Sequence, residues 1–326
     1  MRIVIVDETA ISSGDISWNR WAGLGQLTFF PSSREALKNK ALAEAEALVA
    51  VEFALGRDVL DLCPKLKYIG LLATGHDSVD LAETGRRGIV VTNVPAYGTR
   101  SVAQYTIALM LELCHQAGAH DSAVRRGLWA ASGRFSFWLA PPIELDGKTL
   151  GLIGFGRIGR EVARLAQAFG LTILPYNASA APGAEIDGFV CRELSEVLAD
   201  SDFLSLHCPL TTETRGLINS RTIASMKPGV RLINTARGAL VQGGDLIKAL
   251  TDGRIAAAAI DVTDPEPLPL DSPLLKAPNL IITPHIAWAT SEARRRIVGQ
   301  AADNFQAFID GHPVNTLNRK EKAQHA

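Results

Sequence analysis

"LGLIGFGRIGREVARLAQAFG", Leu150 to Gly170, decides the fold. Gly154, Gly156 and Gly159 stand in the spacing G-x-G-x-x-G. That spacing alone is weak evidence, but its flanks make it specific. Thr149–Ile153 before it reads as a buried strand. After it, Ile158, Val162, Leu165, Ala166 and Phe169 recur at helical period, which predicts a helix that buries them and closes at Gly170. "LTILPY" then reads as the next strand. In such a βαβ unit each glycine has its own task. Gly154 makes the tight turn, Gly156 lets a pyrophosphate approach the backbone, and Gly159 lets helix and strand pack closely. Amides of the first helical turn, including those of Arg157 and Ile158, meet the phosphate charge.

A dinucleotide site of this kind expects an acid roughly 20 residues further on, for the adenosine ribose. The chain has Asn177 there, in "LPYNAS". An amide accepts a hydrogen bond from a hydroxyl but does not repel a 2′-phosphate. No Lys or Arg lies between Leu165 and Cys191 to attract one. The reading favours NAD(H) and leaves NADP(H) open.

Outward from this unit, short apolar runs alternate with helical stretches along the whole chain. "RIVIV" (2–6), "ALVAV" (47–51), "KYIGLLA" (67–73) and "GIVVT" (88–92) read as buried strands, with helical patterns at Arg34–Glu46 and Ser78–Arg87. A long helix is predicted from about Arg100 to Arg126. An aromatic, Gly- and Pro-rich excursion follows it. Beyond the glycine motif, strands are predicted near 202–206, 230–234, 255–260 and 280–282, and a last helix near 290–310 stops at Gly311. Alternating β and α predicts an α/β protein of two doubly wound parallel sheets.

Composition narrows the function classes. The 326 residues suffice for two ordinary domains. With 33 basic and 34 acidic residues the formal charge is −1, so no basic excess points to nucleic acid. No apolar run approaches the ~18 residues of a membrane span, and "MRIVIVDE" does not resemble a signal peptide. The four cysteines, Cys63, Cys114, Cys191 and Cys208, form no metal-binding spacing or disulfide framework. The expectation is a cytoplasmic protein without a metal, acting on a small molecule.

Three chemically distinct side chains fall at strand ends. "RLINTARG" puts Arg237 after the strand 230–234, "AAAAIDVTDPEPLP" puts Glu266 after 255–260, and "LIITPH" puts His285 after 280–282, where Pro284 stops the strand. Each has a bland reading: a surface ion pair, a solvated loop acid, a capping imidazole. Ligands of doubly wound sheets bind at the carboxyl ends of strands, so the three can converge on the cofactor. Arg can grip a substrate carboxylate and polarise its keto group. His can deliver a proton, and a carboxylate beside it favours its protonated form.

In these residues and the segments around them, the chain resembles the D-isomer-specific 2-hydroxyacid dehydrogenases over nearly its whole length. The likeness is strongest in "GIVVTNVPAYGTRSVAQ", "ELDGKTLGLIGFGRIGREVARLA", "SLHCPLTTETRGLIN", "MKPGVRLINTARGALV" and "PEPLPLDSPLLKAPNLIITPH". "LLATGHDSVDL" and "VPAY…SVAQ" are most similar to glycerate dehydrogenases, also called hydroxypyruvate reductases. The resemblance implies a flavodoxin-like substrate domain, 1–98 with 288–326, and a Rossmann dinucleotide domain, 99–287. It implies a homodimer through about 100–145, and interconversion of a short 2-oxo acid and its D-2-hydroxy acid. It places the family's catalytic Arg–Glu–His set on Arg237, Glu266 and His285. Substrate-carboxylate amides fall on Ala73, Thr74 and Gly75. Further cofactor contacts fall on His207, Cys208 and Pro209 at the adenine side, Ala236, and Asp261 near the nicotinamide.

Asn177 departs from the family's usual aspartate, and "VQGGDL" (241–246) from its more common acidic form; the latter is read as a helix cap. His76 reads as a rim residue. Trp138 matches an aromatic that reaches the partner's site in related reductases, and dimer packing is an equal reading. Glu266 argues against formate dehydrogenases, which pair the histidine with an amide. A rival from another class is an NAD-sensing corepressor with little turnover.

Overall fold

The computed structural model describes residues 1–51 and 53–318. It divides into two compact units, Met1–Gly98 with Ala289–Ala326, and Thr99–Trp288. The tail 319–326, grouped from sequence with the substrate domain, lies outside the described residues.

In the first unit, β1 (Arg2–Val6), β2 (Gln26–Phe30), β3 (Ala47–Ala50), β4 (Tyr68–Leu71) and β5 (Val90–Thr92) form one parallel sheet in the order β2-β1-β3-β4-β5. This is the flavodoxin-like order. The inner strands β3 and β4 are buried along their whole length, as a sheet covered on both faces requires. The edge strand β2, "QLTFF", is absent from the sequence reading. Only its last residue is fully buried, so it lacks the continuous apolar run that marked the others. The stretch Arg34–Glu46 is two short helices, Ser33–Leu37 and Ala41–Glu44, not one. Asn39 interrupts it, its side-chain oxygen accepting from the Ala41 amide at 2.9 Å. The final helix, Ser291–Ile309, is capped by Thr290 and followed by Gly311 at φ +83°. Its Phe305 stacks on Trp21 with ring centres 5.6 Å apart.

In the second unit, β6 (Thr149–Ile153), β7 (Thr172–Tyr176), a hairpin of β8 (Glu185–Ile186) and β9 (Phe189–Val190), β10 (Phe203–Leu206), β11 (Val230–Asn234), β12 (Ile255–Ile260) and β13 (Leu280–Ile282) follow in turn. Six of them form a parallel sheet ordered β13-β12-β11-β10-β6-β7. The order switches direction at β6, between β7 and β10, and open α/β sheets bind ligands at such a switch.

Three expectations are corrected in this unit. The long helix is two, Thr99–His115 and Ala117–Arg125, because Gln116 turns left-handed at φ +49°. Good helix formers on both sides hide a one-residue turn from a reading of period. The helix after the glycines is Arg157–Gln167; it buries Val162 and Ala166, while Ile158 and Leu165 are half-buried. Phe169 falls in the turn beyond it and is 42% exposed. Finally, Leu280–Ile282 is half-buried, since β13 is an edge strand with β12 as its one neighbour.

Candidate active site

The glycine turn follows β6. Gly154 has φ +99°, a conformation that disfavours any side chain. A Cβ there would also lie 2.4 Å from the Cys208 amide nitrogen. At Gly159 a Cβ would lie 2.3 Å from the Gly154 carbonyl oxygen, so helix and turn touch through this glycine. Gly156, the helix N-cap, has no atom within 4 Å of where its Cβ would be. Two glycines are thus needed for packing, and the third borders open space beside the unpaired amides of a helix N-terminus. This arrangement fits a pyrophosphate. Arg157 and Ile158 open that helix.

His207, Cys208 and Pro209 follow β10 and pass beside Gly154. The His207 ring bonds Ser205 Oγ through Nε2 at 2.9 Å. Burial pushes its pKa down to about 3, so it is neutral at pH 7. Burial likewise raises Cys208 to about 11, which keeps it a thiol. Asn177 sits at the carboxyl end of β7, its side-chain oxygen accepting from the Ser179 amide at 3.0 Å.

Arg237 lies just beyond β11 on a turn held by Asn234. The Asn234 side chain is buried; it accepts from the Ala236 amide at 3.0 Å and donates to the Arg237 carbonyl at 2.8 Å. Arg237 itself donates from Nη1 to the Ala236 carbonyl at 2.8 Å. Gly238 lets the β12 loop approach this turn: a Cβ there would stand 2.0 Å from the Thr263 carbonyl carbon.

That loop carries Glu266. Its Oε1 accepts from the Thr263 amide and its Oε2 from His285 Nδ1, both at 2.8 Å. Burial by itself raises the carboxyl's pKa. The hydrogen bond and charge of His285, the Thr263 amide and the charge of Arg237 outweigh burial and hold Glu266 below its ordinary value. The side chains of His285 and Glu266 remain 28% and 32% exposed, open to a small molecule. Ion pairs that wet stabilise a fold by only about 0–1 kcal/mol, so chemistry explains the pairing better than stability does.

His285 is held in a left-handed backbone at φ +55°, which costs on the order of 1–3 kcal/mol in a non-glycine residue. Asp261 supports it. The His285 amide donates to the Asp261 carbonyl at 2.8 Å. The Asp261 carboxylate, 1% exposed, accepts from Thr283 Oγ1 (2.6 Å) and from the amides of Ile286 (3.0 Å) and Ala287 (2.7 Å). A buried carboxylate without partners would cost several kcal/mol. Here charge-assisted hydrogen bonds, each contributing about 1.5–3 kcal/mol, offset that cost and tie the histidine loop to β12.

Asn234, Gly238, Thr263 and Thr283 were not singled out from sequence. Asn234 and Gly238 flank Arg237 in "NTARG", and that neighbourhood was the available signal. Ala73, Thr74 and Gly75 belong to the other unit, just past β4; Thr74 Oγ1 donates to the Val94 carbonyl at 2.9 Å, and Asn93 donates to the Thr74 carbonyl at 2.7 Å. His76 is exposed, as is Trp138, at 59%. The "VQGGDL" segment places Gln242 as the N-cap of the helix Gly243–Thr251.

Comparison with known proteins joins these observations. The family model "D-isomer specific 2-hydroxyacid dehydrogenase, NAD binding domain" matches residues 107–287. The chain is 41% identical over 324 residues to a hydroxypyruvate reductase of Blautia hydrogenotrophica, covering 98% of this chain and 100% of that one. It superposes with a TM-score of 0.83 on a D-lactate dehydrogenase from Aquifex aeolicus complexed with NAD and lactic acid, at 30% identity over 98% of this chain and 100% of that one. An NADPH-dependent glyoxylate/hydroxypyruvate reductase from Sinorhizobium meliloti, in complex with NADP and malonate, gives 0.82 at 29% identity over 97% of this chain and 96% of that one. The chain belongs to the D-isomer-specific 2-hydroxyacid dehydrogenases, NAD(P)-dependent oxidoreductases that interconvert 2-oxo and 2-hydroxy acids.

Proposed function

We propose that the protein reduces hydroxypyruvate to D-glycerate, or glyoxylate to glycolate, with His285 as acid–base group, Glu266 as its partner and Arg237 as the substrate clamp. The carrying observation is the 2.8 Å His285–Glu266 bond on a loop next to the Arg237 turn, at the carboxyl ends of β11, β12 and β13. The bound nicotinamide supplies the hydride, and NADH is favoured over NADPH. Arg237 grips the substrate carboxylate and polarises the keto oxygen. His285, held through Nδ1, gives a proton to that oxygen as C2 is reduced. In the reverse direction it takes the hydroxyl proton. Glu266 stays ionised and stabilises the charged ring. Asn234 and Asp261 fix the two loops so that these groups need no rearrangement.

The Thr99–Trp288 unit is read as the dinucleotide domain and the other as the substrate domain, with backbone amides of Ala73, Thr74 and Gly75 for the substrate carboxylate. Gly154, Gly156, Arg157, Ile158 and Gly159 take the pyrophosphate, Asn177 the ribose, His207–Pro209 the adenine side, and Ala236 and Asp261 the nicotinamide end. The segment after Arg125 exposes Leu128, Trp129, Phe135 (96% exposed), Trp138 and Leu139, an apolar surface that supports a homodimer. The four cysteines are all unpaired, which supports a cytoplasmic enzyme.

The test is a panel of glyoxylate, hydroxypyruvate, pyruvate and phenylpyruvate with NADH and NADPH, followed by chiral analysis of the product. The expected result is steady turnover of the first two to D-acid where the product is chiral. Mainly L product, or cofactor binding without turnover, overturns the reading.

A further inference from the structure

The sheet of the Thr99–Trp288 unit has a second end. At its amino edge, before β6, β10 and β11, lies a cleft of about 270 Å³ whose lining includes Lys148, Asp202, Phe203, Lys227 and Arg231. It is near the lower limit of ligand sites, ~300 Å³, with room for a small metabolite and not for a dinucleotide. Three of its lining residues are cationic. The one carboxylate, Asp202, is already committed: one oxygen accepts from Lys227 Nζ at 2.6 Å and the other from the Thr149 amide at 2.9 Å. Two positive charges therefore remain uncompensated.

Arg231 is the unusual member. It is half-buried, with its guanidinium carbon 5.7 Å from the centre of the Phe203 ring. Its Nε is buried without a hydrogen-bond partner, and Nη1 reaches only the Gly229 carbonyl at 3.5 Å. Burial lowers its pKa. A guanidinium in this position costs the fold stability, and a buried donor left unmade is rare in native proteins. A forked donor with a second cation beside it matches a tetrahedral dianion.

We propose that this cleft binds the phosphoryl group of a small metabolite, with Arg231 as the fork and Lys148 as the flanking charge. It lies at the opposite strand ends from Arg237, Glu266 and His285. Its ligand is thus separate from the substrate and the cofactor.

The test uses the full chain saturated with NADH, so that the glycine turn is filled. Thermal unfolding is followed against inorganic phosphate, with acetate and chloride at matched ionic strength. Phosphate should stabilise saturably, shifting the unfolding equilibrium about 100-fold at 100 times its Kd. Acetate and chloride should not. Arg231→Gln and Lys148→Gln should each weaken the apparent phosphate affinity by about tenfold or more. Arg231→Gln should be at least as stable as wild type without phosphate. If it fails to fold, Lys148→Gln carries the test. An equal phosphate response in the wild type and the variants that fold overturns the proposal, as does an equal response to chloride. Acetate acting as well as phosphate overturns the phosphoryl assignment.

Discussion

Glu266 holds His285 by its Nδ1 at 2.8 Å, and the same carboxylate is anchored by the Thr263 amide. With His285 as the proposed acid–base group, proton exchange with a substrate falls to Nε2 of the ring. Reduction consumes a proton, so it requires the imidazolium and fails as pH rises through the imidazole's pKa. Glu266, held below its ordinary value, is ionised throughout that range and favours the imidazolium. Glu266→Gln should therefore move the falling limb of 2-oxo acid reduction to lower pH. His285→Ala should lose about 10²–10⁴-fold in rate while NADH fluorescence still reports binding. An unmoved limb removes the pairing, and near-normal kcat in His285→Ala returns the histidine to a capping role.

Arg237 is presented on a turn stitched by Asn234. Arg237→Lys keeps the charge and loses the fork. Losing charge-assisted bonds of about 1.5–3 kcal/mol should cost roughly 10–150-fold in kcat/KM for the 2-oxo acid. Arg237→Ala should cost more. Steady-state kinetics with wild-type efficiency in the lysine variant would show that Arg237 is not the clamp.

Asn177 ends β7 with a neutral side chain where an acid is expected. Asn177→Asp adds a charge that repels a 2′-phosphate while still accepting from ribose hydroxyls. The NADH/NADPH ratio of kcat/KM should rise by roughly tenfold. A ratio that stays or falls places the discriminating contact elsewhere.

Gly159 is the contact between helix and glycine turn. The added methyl of Gly159→Ala would stand 2.3 Å from the Gly154 carbonyl oxygen, on rigid backbone. Overpacking of this kind costs about 1–3 kcal/mol. Denaturant unfolding should show that loss, and NADH affinity should fall as the turn shifts. Unchanged stability and affinity would mean the helix relaxes freely.

Several of these features were legible in the amino-acid order because they are written locally. The roles of Gly154 and Gly159 follow from spacing between a strand and a helix. The strands Thr149–Ile153, Val230–Asn234 and Ile255–Ile260 follow from continuous apolar runs in a covered sheet. The positions of Arg237, Glu266 and His285 just past the ends of β11, β12 and β13 follow from where those runs stop. Edge strands were harder: β2 has almost no buried face to mark it, and β13 reads as a core strand although it is half-buried.

Tertiary structure alone decided what depends on residues distant in the chain. Asp261 and Thr283 are 22 positions apart, and only the neighbouring of β12 and β13 joins them under the histidine loop. Gly238 needs to be glycine because Thr263 crosses it, which no reading of "TARG" reveals. Lys148, Asp202 and Arg231 look like scattered surface charges until three parallel strands bring their amino ends side by side. Period and spacing encode the elements and their ends. Which side chains share one volume is set by the sheet order, through contacts that short-range patterns do not carry.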